Sequence, residues 1–335
     1  MTKKRLIDKI RDSGGMADIG TDEDGAIVDM TKIGERLFII KENSIYEYLL
    51  GDNIDPNRSN INLPNGIQKI IHNQGTESEY VCRTFLTART LLRTEYFEKT
   101  INIENALTLS LEFLQEVAVL NKELDDYLLQ EEKAIIEYEH NRNKANSYAI
   151  PSINDVEVRC TTIFQKADHL EQIIMEIITV FYPESGLTKQ SHFPKLYEFL
   201  KKKYNQDERF ASFIKEQVDL MKIVRETRNS LDHRLGFAQI LNFEIRPDGS
   251  IITPTIELNF KKITLQRQSL SNYLPILFES LINIFELTLA YLCDYNSIKS
   301  LINHGVREIP EEKRRFKYVR FGFWTPMGQD GYYKQ

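Results

Sequence analysis

The sequence predicts a mainly α protein: a helical bundle carrying an inserted β-hairpin, preceded by an N-terminal α+β region. Three observations predict it. Apolar residues recur at helical spacing over much of residues 79–293. The tetrapeptide Arg246-Pro247-Asp248-Gly249 lies between β-branched runs and marks a tight turn, because proline presets φ and glycine tolerates φ > 0. Short β-branched and aromatic runs, separated by turn residues, crowd into the first 60 positions.

A chain of 335 residues is long enough for one large or two ordinary domains. Its 41% hydrophobic and 27% charged residues fit a folded protein with a sizeable core, without metal or disulfide staples. The net charge of −6 argues against nucleic acid wrapping over the whole surface but leaves room for a local basic site. Cys82, Cys160 and Cys293 are odd in number and far apart, which predicts three reduced, buried thiols in a cytoplasmic protein. The six histidines show no metal-ligand spacing, so neither a metal nor a cofactor is expected. The basic N-terminus lacks a following apolar run and does not read as a signal peptide. The most apolar segment, 273–293, is interrupted at helical spacing by Glu279, Asn283 and Glu286, which predicts a core helix and no membrane span.

Taken in order, Leu6 to Arg11 reads as a short helix ended by Gly14 and Gly15. GAIVDM, RLFIIKEN and SIYEYLLG read as short strands, and 51–66 as loop. Residues 79–100 read as a helix. Asn102 caps a much longer one with an apolar stripe through Leu107, Leu111, Leu114, Ala118, Leu124, Leu128, Ile135 and Tyr138. Its acidic remainder is a solvated face or, alternatively, a dimerisation arm. Pro151 marks a boundary, with Ser152 or Asp155 capping the helix 156–181. Helices follow over 193–204 and from Asp207 to about His233, where Gly236 ends the last. A hairpin spans 237–260, its second strand demoted to an edge by Pro254. Ser271 caps the apolar helix 273–293. The implied division is 1–150 for sensing or dimerisation, 151–310 for a helical domain, and 311–335 for a basic, aromatic tail.

The chemistry concentrates in VRETRNSLDHRLGF, residues 224–237. On a helical wheel Leu220, Val224, Leu231 and Leu235 fall within about 60° of one another and form the core face. Arg228 lies at the rim, about 80° from Leu220, followed by Asp232, Arg225, Asn229 and His233 at about 120° to 220°. Arg presents a planar fork suited to phosphate oxygens. His exchanges a proton near neutrality. Asn229 and His233 are four apart and can touch. Such a set can cleave RNA by attack of the 2′-hydroxyl on its own phosphate. One helix supplies one Arg and one His, whereas in-line displacement needs groups on both sides, so two copies are expected to face each other. The structural alternative is an Arg228–Asp232 ion pair, with His233 a cation at the helix C-terminus.

Arg228-Asn229-x-x-x-His233 near the end of a late helix resembles the signature of the HEPN superfamily (higher eukaryotes and prokaryotes nucleotide-binding). The resemblance covers roughly residues 152–300 and leaves 1–150 unexplained. It implies a helical bundle, commonly dimeric, with the motif at the dimer cleft. The activity it implies is that of a metal-independent endoribonuclease acting on single-stranded RNA, in prokaryotic defence or a toxin-like response, with an antitoxin or other protein as partner. In that assignment Arg228 stabilises phosphate charge, His233 is the acid/base, Asn229 orients either one, and Arg225 contacts the RNA backbone. The family also contains non-catalytic nucleotide-binding and scaffold members, which is the alternative. In the tail, Lys313, Arg314, Arg315, Lys317 and Arg320 interleave with Phe316, Tyr318, Phe321, Phe323 and Trp324, a pattern suited to single-stranded RNA. The alternative there is an edge strand with its aromatic face docked.

Overall fold

The computed structural model describes residues 4–13, 17–142, 149–298, 304–327 and 331–335. The expected glycine stop at Gly14 and Gly15, and part of the boundary before Pro151, lie outside these residues. The chain divides into two compact units, Met1–Arg93 with Ile302–Gln335, and Thr94–Leu301. The division therefore falls before the long acidic helix rather than near residue 150.

In the first unit, helix α1 (Leu6–Asp12) precedes the strands β1 (Ile27–Ile33), β2 (Arg36–Lys41), β3 (Ile45–Leu50) and β4 (Gly66–His72). They form an antiparallel meander in the order β1-β2-β3-β4. Strand β4 lies where no strand was expected, because its sequence GIQKIIH lacks clean alternation and borrows its pairing from β3. Helix α2 begins at Glu79–Val81, widens to π geometry over Cys82–Leu86 and closes as Thr87–Leu91.

The second unit opens with α3 (Ile103–Asn141), capped as expected: Asn102 Oδ1 accepts the Asn105 N–H at 3.0 Å. Of the expected stripe, Leu111, Leu114, Leu124 and Tyr138 are buried. Phe113, Val117, Tyr127 and Glu131 are buried, while Leu107, Leu128 and Ile135 are half-buried. Then come α4 (Val156–Phe181), α5 (His192–Lys203) and α6 (Arg209–Asp232). Asp155 precedes α4 in a left-handed conformation and makes no side-chain cap. Helix α4 is central, packed against α3, α6 and the last helix.

Between α6 and that helix lie β5 (Ala238–Leu241), β6 (Glu244–Ile245), β7 (Ile251–Ile252), β8 (Thr255–Phe260) and β9 (Ile263–Ser269). The expected turn at 246–249 joins β6 to β7. However, β8 is the middle strand of a β5-β8-β9 sheet, not an edge. Pro254 sits just outside β8 and there serves as an acceptor, its carbonyl taking the Leu270 N–H at 2.9 Å. Helix α7 (Leu270–Asn296) follows, and the Phe113 and Phe285 rings stack at 4.0 Å between α3 and α7. It begins after Ser269 rather than Ser271, without a side-chain cap. By length and composition α7 can cross a membrane, but 61% of its most apolar stretch is buried inside the protein, as in a core helix. The chain ends in the first unit with β10 (Gly305–Glu308), β11 (Phe321–Thr325) and β12 (Tyr332–Lys334) in one antiparallel sheet.

The expectation of a mainly α bundle with one inserted hairpin is overturned. Among the described residues the protein is mixed α and β, about 52% helix and 19% strand, with four separate small sheets. Short strands with broken alternation, such as β4 and β9, are held by pairing partners rather than by their own pattern. All three cysteines are free and buried. Burial pushes the Cys82 and Cys160 thiols up to about 12 and Cys293 well above its usual range, so none is poised as a thiolate.

Candidate functional site

Helix α6 faces the core through Met221, Val224, Thr227, Ser230 and Leu231. Two residues of the expected core face depart from it: Leu220 is half-buried, and Leu235 lies past the helix end, exposed. The stop is a Schellman motif: the Leu235 N–H donates to the Ser230 carbonyl at 3.0 Å and the Arg234 N–H to that of Leu231 at 3.4 Å. The left-handed position this motif requires is filled by Arg234, φ 51°, and not by a glycine. Gly236, which was expected to end the helix, is one residue beyond, with φ 74°.

Arg228 is at the rim, as the wheel placed it, with 29% of its side chain exposed. Its Nε lies 3.1 Å from Asp232 Oδ2, a charge contact whose angle makes no hydrogen bond. Its Nη1 donates to Asn229 Oδ1 at 2.9 Å. Its Nη2 lies 3.9 Å from Asp168 Oδ2, a buried carboxylate on α4. Gln172 donates to Asp168 at 2.9 Å and Gln165 to Asp232 at 2.8 Å. The guanidinium thus ties α6 to α4 through two carboxylates that are themselves held. Asp168 Oδ1 has no hydrogen-bond partner among the described residues.

Asn229 is drawn to Arg228, so its amide does not orient His233. Only its main-chain carbonyl meets residue 233, accepting the His233 N–H at 3.1 Å. The His233 side chain is exposed and makes no hydrogen bond among the described residues. Arg225 is half-buried, with Nε 3.4 Å from Glu226 Oε1. Beside the helix end lies an open groove of about 670 Å³. Its lining includes Glu157, Val158, Thr161, Asp232, Arg234 and Gly236.

The tail candidates belong to the other compact unit. Arg314 is anchored, donating to the Ile309 carbonyl at 2.9 Å and lying 3.3 Å from Glu308. Arg315 donates to the Val28 carbonyl at 3.1 Å and lies over the Phe316 ring. Lys317 is exposed above Tyr318, and Arg320 lies 5.7 Å from the Phe321 centroid. Trp324 is half-buried, one ring face covered by Arg307 at 3.6 Å. Phe316 and Phe323 are buried. The docked aromatic strand describes this segment better than an open stacking platform.

Asp168, Gln165 and Gln172 belong to no motif in the sequence. Their signal is an aspartate between Ala167 and Leu170 on the apolar stripe of α4, a position where an unpaired charge is too costly to persist. Comparison of the chain with family models, curated protein sequences and solved structures returned no match.

Proposed function

We propose that the end of α6 is an RNA phosphodiester site completed by a second copy of the chain, giving a metal-independent endoribonuclease. The observation that carries this reading is the contrast between an arginine held in place and a free histidine five residues later. Arg228 is fixed by Asp232, Asn229 and Asp168, while His233 is exposed and unengaged among the described residues. The reading rests on the motif residues, and the likeness to the HEPN signature is carried by them alone. In the reaction, the RNA 2′-hydroxyl oxygen bonds to phosphorus as the P–O5′ bond breaks, leaving a 2′,3′-cyclic phosphate and a 5′-hydroxyl. One His233 accepts the 2′-proton, that of the second copy protonates the leaving oxygen, and the two Arg228 side chains carry charge on the phosphoryl oxygens. The partners in this reading are single-stranded RNA, a second copy and an antitoxin or other regulatory protein, in the cytoplasm of a prokaryote.

A second reading has its own support. Asp232 and Asp168 face Arg228, and Glu226 faces Arg225, so one copy offers phosphate no surplus positive charge. This favours a non-catalytic interaction module in which Arg228 is a helix–helix clamp. The deciding experiment incubates single-stranded RNA with purified protein in EDTA, beside His233→Ala, whose exposed side chain can be removed without disturbing packing. Cleavage by the native protein that His233→Ala loses supports the nuclease. Equal cleavage by both, or none by either at concentrations where the protein is dimeric, assigns the interaction module.

A further inference from the structure

The N-terminal unit contains a second arginine in unusual surroundings. The Arg11 side chain is only 2% exposed. Its Nη1 donates to the Pro64 carbonyl at 3.1 Å and lies 4.0 Å from Asp52 Oδ1. Its Nη2 has no hydrogen-bond partner among the described residues. Asp52 is no effective counter-charge, because Arg58 grips both its oxygens, at 3.2 and 2.6 Å. Arg58 also takes Asp12, at 2.8 Å. Lys4 shares Asp12 with Arg58, and Asp55, whose charge also acts on Arg11, is held by Ser59 and Asn60. Arg11 is therefore enclosed with no carboxylate in hydrogen-bond contact, an arrangement that is costly unless an anion joins it.

The seat is shaped for the guanidinium. Residue 51 is glycine, and a Cβ there would fall 1.5 Å from Arg11 Nη1 and 2.4 Å from the Pro64 carbonyl oxygen. Arg11 lines an open groove of about 660 Å³, within the range of small-molecule sites. Asn65 lines it too, and its Oδ1 is buried with no hydrogen-bond partner among the described residues. Leu50, Ile61, Leu63 and the Tyr48 ring supply apolar wall, with Leu50 54% and Ile61 47% exposed. A cation with no carboxylate in hydrogen-bond contact, an acceptor unpaired among the described residues and an apolar wall meet in one groove.

We propose that this groove binds a small molecule bearing an oxyanion, carboxylate or phosphate, on an apolar or aromatic body. The oxyanion pairs with Arg11 Nη2, a neighbouring N–H or O–H of the ligand donates to Asn65 Oδ1, and the body lies along Leu50, Ile61 and Leu63. Nη2 is closed to bulk water, so binding shifts the lining enough to admit the anion. The assignment is independent of the α6 site.

The test is calorimetric titration of the full chain with phenyl phosphate and with benzoate, beside inorganic phosphate and benzyl alcohol. Saturable binding of at least one aromatic anion, tighter than inorganic phosphate and the alcohol, is the expected result. Which anion binds more tightly identifies the oxyanion. Arg11→Met is expected to weaken it at least tenfold while lowering the thermal midpoint by less than about 5 °C. Ile61→Trp, which fills the groove and keeps the arginine, is expected to weaken it as well. No saturable binding of either anion, equal binding of the neutral alcohol, or unchanged affinity in both variants would overturn the proposal. A midpoint lowered by more than about 5 °C in Arg11→Met would instead make Arg11 a structural clamp.

Discussion

Arg228 at the end of α6 and Arg11 in α1 are both drawn out of solvent, yet their electrostatic settings are opposite. Arg228 faces two carboxylates, each held by a glutamine. Arg11 has Asp52 at 4.0 Å, which Arg58 has already taken, and Asp55 acting on it without a hydrogen bond. Withdrawing a charge from water costs the same kind of energy in both places, so the difference lies in what offsets it. At α6 the protein offsets it internally, and the arginine joins two helices. In the N-terminal unit the offset is incomplete, which leaves capacity for an external anion. A guanidinium's surroundings, more than its burial, decide whether it acts as a clamp or a receptor.

The largest effect that tests this comparison is on stability. Arg228→Met leaves Asp168 buried beside no cation and is expected to cost about 3 kcal/mol in urea unfolding. Adding Asp168→Leu removes the stranded carboxylate and is expected to recover most of that loss. Failure of the double variant to recover would show that the two side chains are not energetically coupled.

Acid separates the units next. Burial lowers His72 of the N-terminal unit to about 4, against 6.5 for the free side chain. Its ring lies 2.9 Å from the Tyr80 hydroxyl. The folded value is the lower one, so the unfolded chain takes up the proton first as pH falls. Stability is full above about 6.5 and is lost down to about 4, by about 2 kcal/mol after allowing for incomplete burial. The difference between native protein and His72→Gln, measured across that range, isolates the contribution. Parallel pH curves would remove it.

Asp232→Asn is expected to cost under about 1 kcal/mol, because the pair is partly exposed. It removes one of the two negative charges facing Arg228. If α6 handles RNA, single-strand affinity should rise severalfold at low salt. Unchanged affinity would favour the clamp. The smallest expected effect is that of Arg11→Met on stability, within about 1 kcal/mol of zero, since replacing a poorly paired buried charge by an apolar chain of similar size is near neutral. A loss comparable to that of Arg228→Met would erase the contrast between the two arginines.

Much of this was legible before the fold. The Asn102 cap, the helices over 156–181 and up to Asp232, the turn at 246–249 and the rim position of Arg228 follow from local rules: a side chain capping its own helix, the 3.6-residue period, and proline and glycine backbone preferences. The sequence also placed Asp232 where it can reach Arg228, since both lie on one helix face four residues apart. Tertiary structure alone decided the rest. Strands β4 and β9 exist because partners complete their hydrogen bonds. Asp168 reaches Arg228 from another helix, 60 residues earlier in the chain, and Asn229 turns to the arginine instead of the histidine. Arg58 deprives Arg11 of Asp52 across a loop whose pattern announces only turns. Periodicity reports which face of an element is buried, whereas charge compensation depends on which faces meet, and that is fixed only when the chain is packed.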